Sequence, residues 1–322
     1  MTARSGLTTL VTCLLALGCE PPGPPADRVD FAPLRPGVCE EGALPCDGEG
    51  HAWVEVPRDF EDRTYAFVID SLSFPPATPD GNAIGFDLDG LDSGPGSDDP
   101  EAPCGERHRD YASVDDPGVT GVDNQLLVLI PTIEGLLDPA DCPDEETTGC
   151  LDELAIQSLS EGNGLVIVEV SGIASLLHDD HVLVKLYRVP PSRTPIEVGS
   201  DGRIATGQSL HGVLVDQQDG SLLDGRVDVS FTEIPLTVRA GDFLLTLDLM
   251  SARMRFDLSE DRLDGVVGGR NEPSVPDGPD GTVCSVVASV SDLEARRTCS
   301  DSACYGVSVG ARFTAVAARL EP

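Results

Sequence analysis

The stretch FLLTLDLMSARMRFDL (Phe243 to Leu258) decides how the chain is read. Phe243, Leu245, Leu247 and Leu249 alternate with partly polar partners, and Ala252, Met254, Phe256 and Leu258 continue in the opposite phase. Period-two alternation marks a strand with one buried face, so a bulge or turn near Met250 must reset the register. Upstream, Val227, Val229 and Phe231 alternate with Asp228 and Ser230 in the same way. LLDGRV (Leu222 to Val227) and RLDGVV (Arg262 to Val267) each follow an acidic turn and open a new strand, a weak internal repeat of hairpins. Further strands are expected over Ala52–Val56, Tyr65–Phe74, Gly164–Ile173, Val182–Val189 and Tyr305–Ala315. One helix is expected over Leu151–Glu161, where Leu151, Leu154, Ala155 and Leu159 share a face and Asp152 and Glu153 occupy the first turn. A second is expected around Val283–Leu293, while Leu126–Ile133 is a short apolar run. The balance is mainly β: an antiparallel β-sandwich or a β-rich α+β domain with one or two short helices.

The chain has 322 residues, 40% of them hydrophobic, ample for a large core. Against 21 Lys and Arg stand 56 Asp and Glu, a formal net charge of −35. Phosphate backbones and anionic lipid surfaces repel such a chain, which excludes nucleic acid as an expected partner. Lys185 is the single lysine.

Residues 1–18 have a basic start (Arg4), an apolar run from Leu10 to Leu17 and a small-residue ending before Cys19. That run is too short to span a bilayer and has the layout of a signal peptide. Residues 19–50 begin with Cys19 and continue as a Pro-rich tether, EPPGPPADRVDFAPLRPGV, reaching on the order of 50 Å at about 3.1 Å per residue. The ending Ala16, Leu17, Gly18, Cys19 resembles the bacterial lipobox, which implies cleavage before Cys19 and its acylation with palmitate-type chains. An ordinary signal cleaved nearby is the alternative. The resemblance makes this a membrane-anchored envelope lipoprotein, and Glu20 in place of Asp after the cysteine favours the outer membrane, with the domain periplasmic or surface-exposed. Residues 51–322 form the β-rich extracytoplasmic domain, with an insertion loop over 92–120 and a Pro/Gly/Asp linker over 271–282.

Of ten cysteines, Cys13 and Cys19 belong to the signal and the acylation site, leaving eight. An even number in an exported chain reads as disulfides. Close spacing pairs Cys39 with Cys46 and Cys142 with Cys150, and Cys104, Cys284, Cys299 and Cys304 supply two more bridges of open connectivity.

The residues that carry chemistry are GFDLDGLDS (Gly85 to Ser93) and GVDNQLL (Gly121 to Leu127), two halves of one interrupted site. They offer Asp87, Asp89, Asp92, Asp123 and Asn124, hard oxygen donors of the kind that surround Ca²⁺, so calcium is the cofactor the sequence points to. The competing reading is that these acids cap turns and accept backbone hydrogen bonds. Convergence of the acids requires a cation, many N–H donors or an arginine, for which Arg107 and Arg109 are at hand.

FDLDG also resembles the first motif of haloacid-dehalogenase-type phosphatases, which would make Asp87 the nucleophile and Asp89 the acid/base of a metal-dependent phosphohydrolase. The Thr expected after Gly90 is missing, and Lys185 follows Asp179 and Asp180 where that family's Lys precedes its acidic pair. On a longer scale, GFDLDG, then GVDNQL, then LDELAIQSLSEG running into GLVIVEVSGI, then the LDG hairpins, resembles a group of uncharacterised predicted lipoproteins of GC-rich diderm bacteria such as the myxobacteria. That resemblance implies an envelope location and no particular activity.

HDDH (His178 to His181) offers two imidazoles and two carboxylates to Zn²⁺, or is a polar turn between strands. His51, His108 and His211 are isolated. GVSVG (Gly306 to Gly310) spells a nucleophile elbow, but no His follows Ser308 to complete a triad. Asp87 and Asp89, spaced by two, do not face one another across a sugar as paired glycosidase acids must. The expectation is a non-catalytic binding or structural envelope protein, able to bind calcium and held to the membrane by lipid, with a protein or glycan partner left open. The phosphohydrolase is its alternative.

Overall fold

The computed structural model describes residues 64–92, 110–135, 137, 149–174, 176–190, 196–240, 243–272, 292–299 and 302–321, with the short pieces 28–29 and 54–55. The signal segment, most of the tether and insertion loop, and the 273–291 segment with its expected helix lie outside the described residues.

The domain is mainly β and antiparallel, as expected. Eight strands form the main sheet: β1 (Tyr65–Ser73), β2 (Val166–Ser171), β3 (His178–Arg188), β4 (Val213–Leu223), β5 (Arg226–Ala240), β6 (Phe243–Leu258), β7 (Arg262–Asn271) and β8 (Ser302–Ala317). Each pairs with the next in chain order, and β8 then pairs with β1, so the sheet closes on itself. The two layers expected of a sandwich are opposite walls of this one ring. Closure removes the unpaired edges that an open sheet would present. Eight strands leave an interior just wide enough for side chains to fill, and Phe67, Leu186, Phe256 and Phe313 do fill it, each at most 1% exposed.

The register reset read at Met250 is real. β6 runs unbroken through it, but its pairing with β7 shifts between Met250 and Arg253, and Ser251 adopts φ 47°. One extra residue there returns Ala252, Met254 and Phe256 to the interior. The two LDG segments are not equivalent. Asp224 (φ 52°) and Gly225 (φ 79°) form the β4–β5 turn itself, whereas Asp264 and Gly265 lie inside β7. HDDH is the first turn-free part of β3 rather than a loop, with Asp179 accepting the Ala174 N–H (2.7 Å) and the His181 N–H (2.9 Å).

The apolar run at Leu126 forms helix α1 (Leu126–Glu134), and the helix expected near Leu151 is α2 (Cys150–Ser160). α2 packs against β1 and β5, which stand on opposite sides of the ring, and so closes one mouth. Two backbone N–H groups that the ring leaves unpaired fasten it: Phe74 donates to Asp152 Oδ1 and Arg239 to Ser158 Oγ, both at 2.8 Å. Beneath α2 remains a cavity of only about 10 Å³, lined by Ile69, Leu159, Val166 and Leu236.

A second, smaller layer lies outside the ring. Ile84 and Phe86 bury against Val266, whose side chain points outward from β7. The Phe86 ring receives the guanidinium groups of Arg253 and Arg255 at 5.1 and 5.2 Å. The ring's outward side carries ion pairs such as Arg253 and Arg255 with Asp228, and its inward side is apolar. Among the described residues no helix is long and apolar enough to cross a membrane.

Candidate functional site

The outer layer brings the two Asp-bearing segments together. Phe86 forms an antiparallel bridge with Asp123, whose N–H donates to the Phe86 carbonyl at 2.9 Å, and Tyr111 forms another with Val122. The segments at Phe86, Tyr111 and Val122–Asp123 thus lie side by side. Gly121, at φ 77°, lets the second segment pass close to the first: a Cβ there would stand 2.7 Å from the Leu91 carbonyl and 3.5 Å from the Asp87 carboxyl.

Each carboxylate of the cluster is aimed by a backbone N–H. Asp87 Oδ1 accepts from Gly90 (2.6 Å), Asp89 Oδ1 from Leu91 (2.9 Å) and Asp123 Oδ2 from Leu88 (2.7 Å). One oxygen of each of these three residues lies within 4.8 Å of the other two. Asp87 and Asp89 are exposed and Asp123 is buried, so the cluster is a surface clip with one leg in the protein. Burial pushes the Asp123 carboxyl up to about 9 against the relief of the Leu88 N–H, and the nearby charges of Asp89, Asp110 and Asp292 push it the same way. Without a cation, Asp123 therefore holds a proton at neutral pH.

Not all five expected donors meet. Asp92 is exposed and outside the group of three. Asn124 is buried, and its Nδ2 donates to the carbonyls of Ile84 (2.7 Å) and Gly310 (3.0 Å), fastening the first half of the site to β8. Arg107 and Arg109 lie outside the described residues. The acids cap turns, as the competing reading held, and converge as well.

Sequence reasoning missed a buried polar cluster behind the clip. Asp292 accepts from both the N–H (2.9 Å) and the hydroxyl of Ser308, and Ser308 Oγ in turn accepts the Gln125 N–H at 2.7 Å. Burial pushes Asp292 up to about 6 despite these two bonds, with Asp110 adding to the rise. Asp110 is 9% exposed and raises both Asp123 and Asp292. Nothing in the local sequence at Asp110 or Asp292 marks them. The GVSVG motif did single out Ser308, which sits fully buried as a strut between Asp292 and α1.

The remaining candidates go elsewhere. Lys185 Nζ is held by Glu169 Oε1 at 2.7 Å across β2 and β3. His178 Nε2 lies 3.6 Å from Asp180 and His211 Nε2 3.0 Å from Glu321. Cys150, the first residue of α2, is disulfide-bonded. Cys299 and Cys304 lie on two paired strands, Leu293–Cys299 and β8.

Three ion pairs clamp the turn that leads into the second half of the site, and a fourth ties one of its arginines to β6. Arg312 reaches Asp115 at 2.7 Å, Arg226 reaches Asp116 at 3.3 Å and Asp257 at 3.0 Å, and Arg255 also pairs with Asp116. No family model, no curated protein and no solved structure matches this chain.

Proposed function

We propose that this chain is an envelope lipoprotein, anchored through Cys19 and acting by binding or scaffolding rather than by chemistry, with Asp87, Asp89 and Asp123 forming a calcium clip. The observation that carries the reading is that three carboxylates from segments more than thirty residues apart meet within 4.8 Å, one of them buried among other acids. A hard dication relieves that repulsion and takes such oxygens as ligands. Held there, it fastens the loop bearing Asp87 and Asp89 to the segment bearing Asp123, and so to the ring.

Two further observations support a non-catalytic role. The interior of the ring is filled by side chains, leaving a cavity of about 10 Å³. The phosphohydrolase alternative needs a Lys beside its acids, and Lys185 is engaged by Glu169 instead. The envelope location rests on the signal layout, the lipobox-like ending and the resemblance to predicted lipoproteins of GC-rich diderm bacteria.

Thermal melting in added Ca²⁺ and in chelator tests the clip. A single site at a hundred times its dissociation constant adds about 2.7 kcal/mol, a rise of several degrees. Asp89→Asn should remove that rise while melting normally in chelator. A wild-type melting temperature indifferent to both Ca²⁺ and chelator sinks the clip.

A further inference from the structure

On the outer wall, where the 116–119 turn meets the β4–β5 hairpin and the end of β6, lies an open groove of about 630 Å³. That volume is in the range of about 300 to 1,000 Å³ typical of ligand sites. We propose that this groove docks a basic segment of a partner protein, one in which a Lys or Arg side chain stands beside an apolar one. The inference is independent of the calcium clip.

The apolar half of the argument is exposure. Leu223 alternates out of the ring beside the buried Leu222 and is 60% exposed, and Val119 on the facing turn is 45% exposed. Both line the groove. Two large apolar side chains left in water within one concavity make a place for another side chain to bury.

The charge half comes from following each ion pair. The lining holds Asp116, Asp224, Asp228 and Asp257 against Arg226 and Arg255. Both guanidinium groups are already spent: Arg226 on Asp116 and Asp257, Arg255 on Asp116 and Asp228. Asp116 and Asp228 use both their oxygens in these pairs and in those with Arg253. The unspent acceptors are Asp257 Oδ2 and the Asp224 carboxylate, which has no partner among the described residues. An anionic segment would meet neutralised arginines and two open carboxylate positions. A cationic one finds its acceptors in place.

The acceptors are also held. The N–H groups of Asp224 and Gly225 donate to the carbonyls of Leu177 and Leu176 at 2.9 and 2.8 Å, so the turn that presents Asp224 is pinned to the ring. The facing turn is held by the arginine pairs and by Ser113 Oγ, which accepts from Asp115 and Asp116 at 3.2 and 3.0 Å. A net charge of −35 steers any basic partner toward the surface, and the groove gives it a specific place to stop.

The test uses the full chain and two amidated hexapeptides, one alternating Leu with Lys and one alternating Leu with Glu, followed by amide shifts in NMR at 0.15 M salt. The Leu/Lys peptide should bind saturably, moving Val119, Leu223, Asp224 and their neighbours. The double variant Leu223→Ser, Asp224→Asn, both surface positions, should melt as the parent does and bind about ten-fold more weakly or worse. Shifts scattered over the whole acidic surface and unchanged in the variant would overturn the proposal, as would a preference for the Leu/Glu peptide or the absence of any binding.

Discussion

Gly268 and Gly310 stand directly opposite one another in the ladder between β7 and β8, both turned outward, and the outer layer rests on that pair. A Cβ at Gly268 would come 2.9 Å from the Phe86 ring, and one at Gly310 would run into the Ile84 carbonyl. Asn124 donates to the Gly310 carbonyl from the same side. At this glycine pair the backbone of the first half of the site meets the ladder with no Cβ in its way.

Gly310→Ala should therefore lift the outer layer while leaving the ring's interior untouched. We expect a loss of about 1–3 kcal/mol in thermal or denaturant unfolding, the usual cost of overpacking. The Ca²⁺ response should weaken with it, since Ile84 and Asn124 hold Asp87 and Asp123 in place. A variant as stable as the parent, with an unchanged Ca²⁺ response, would show that the layer does not need this contact.

Asp123→Asn should change sign with calcium. In chelator the folded chain keeps Asp123 protonated at neutral pH while the unfolded chain ionises it near 3.8, and that uptake costs stability. Asn has no proton to take up and retains an oxygen for the Leu88 N–H, so the variant should be more stable in chelator, on the order of a few kcal/mol. In saturating Ca²⁺ it should be the less stable of the two. Melting curves under both conditions check this, and a variant less stable in both would refute it.

Asp292 sets a dependence on pH. Its carboxyl is raised from 3.8 to about 6, so the folded chain binds this proton more tightly than the unfolded chain. The associated stability is full below about 3.8 and is lost as pH rises through about 6. The Asp292→Asn variant lacks that loss, and above pH 7 it should exceed the parent by on the order of 1–3 kcal/mol, with the two converging near pH 4. Parallel melting curves across pH 4 to 8 would remove Asp292 as the source.

Cys19→Ser tests the anchor. The variant should leave the membrane fraction, readable by fractionation. A variant that still sediments with membrane and is trimmed to the parent's size would refute acylation at Cys19.

The bulge at Met250 was legible in the sequence because a change of phase in a period-two pattern has one physical meaning: an inserted residue that turns the next side chains back to the core. The α2 helix was legible for a similar reason, its apolar face and acidic first turn being local properties of the chain. So were Asp87, Asp89 and Asp123, whose glycine-flanked spacing marks turns that gather oxygens. What periodicity reports is which face of a strand is buried, and it is silent on which strand lies beside it. The pairing of β8 with both β7 and β1, which makes a ring out of a sheet, is made by backbone hydrogen bonds common to every residue type. Asp110 and Asp292 reached the acidic cluster in the same way, and Asn124 became a fastening through the Ile84 and Gly310 carbonyls, which belong to the backbone. The sequence by itself determined which residues seek the core and which turns present carboxylates. Tertiary structure decided how the ring closes and which acids meet, because both depend on chain segments brought together from far apart by contacts that no local pattern encodes.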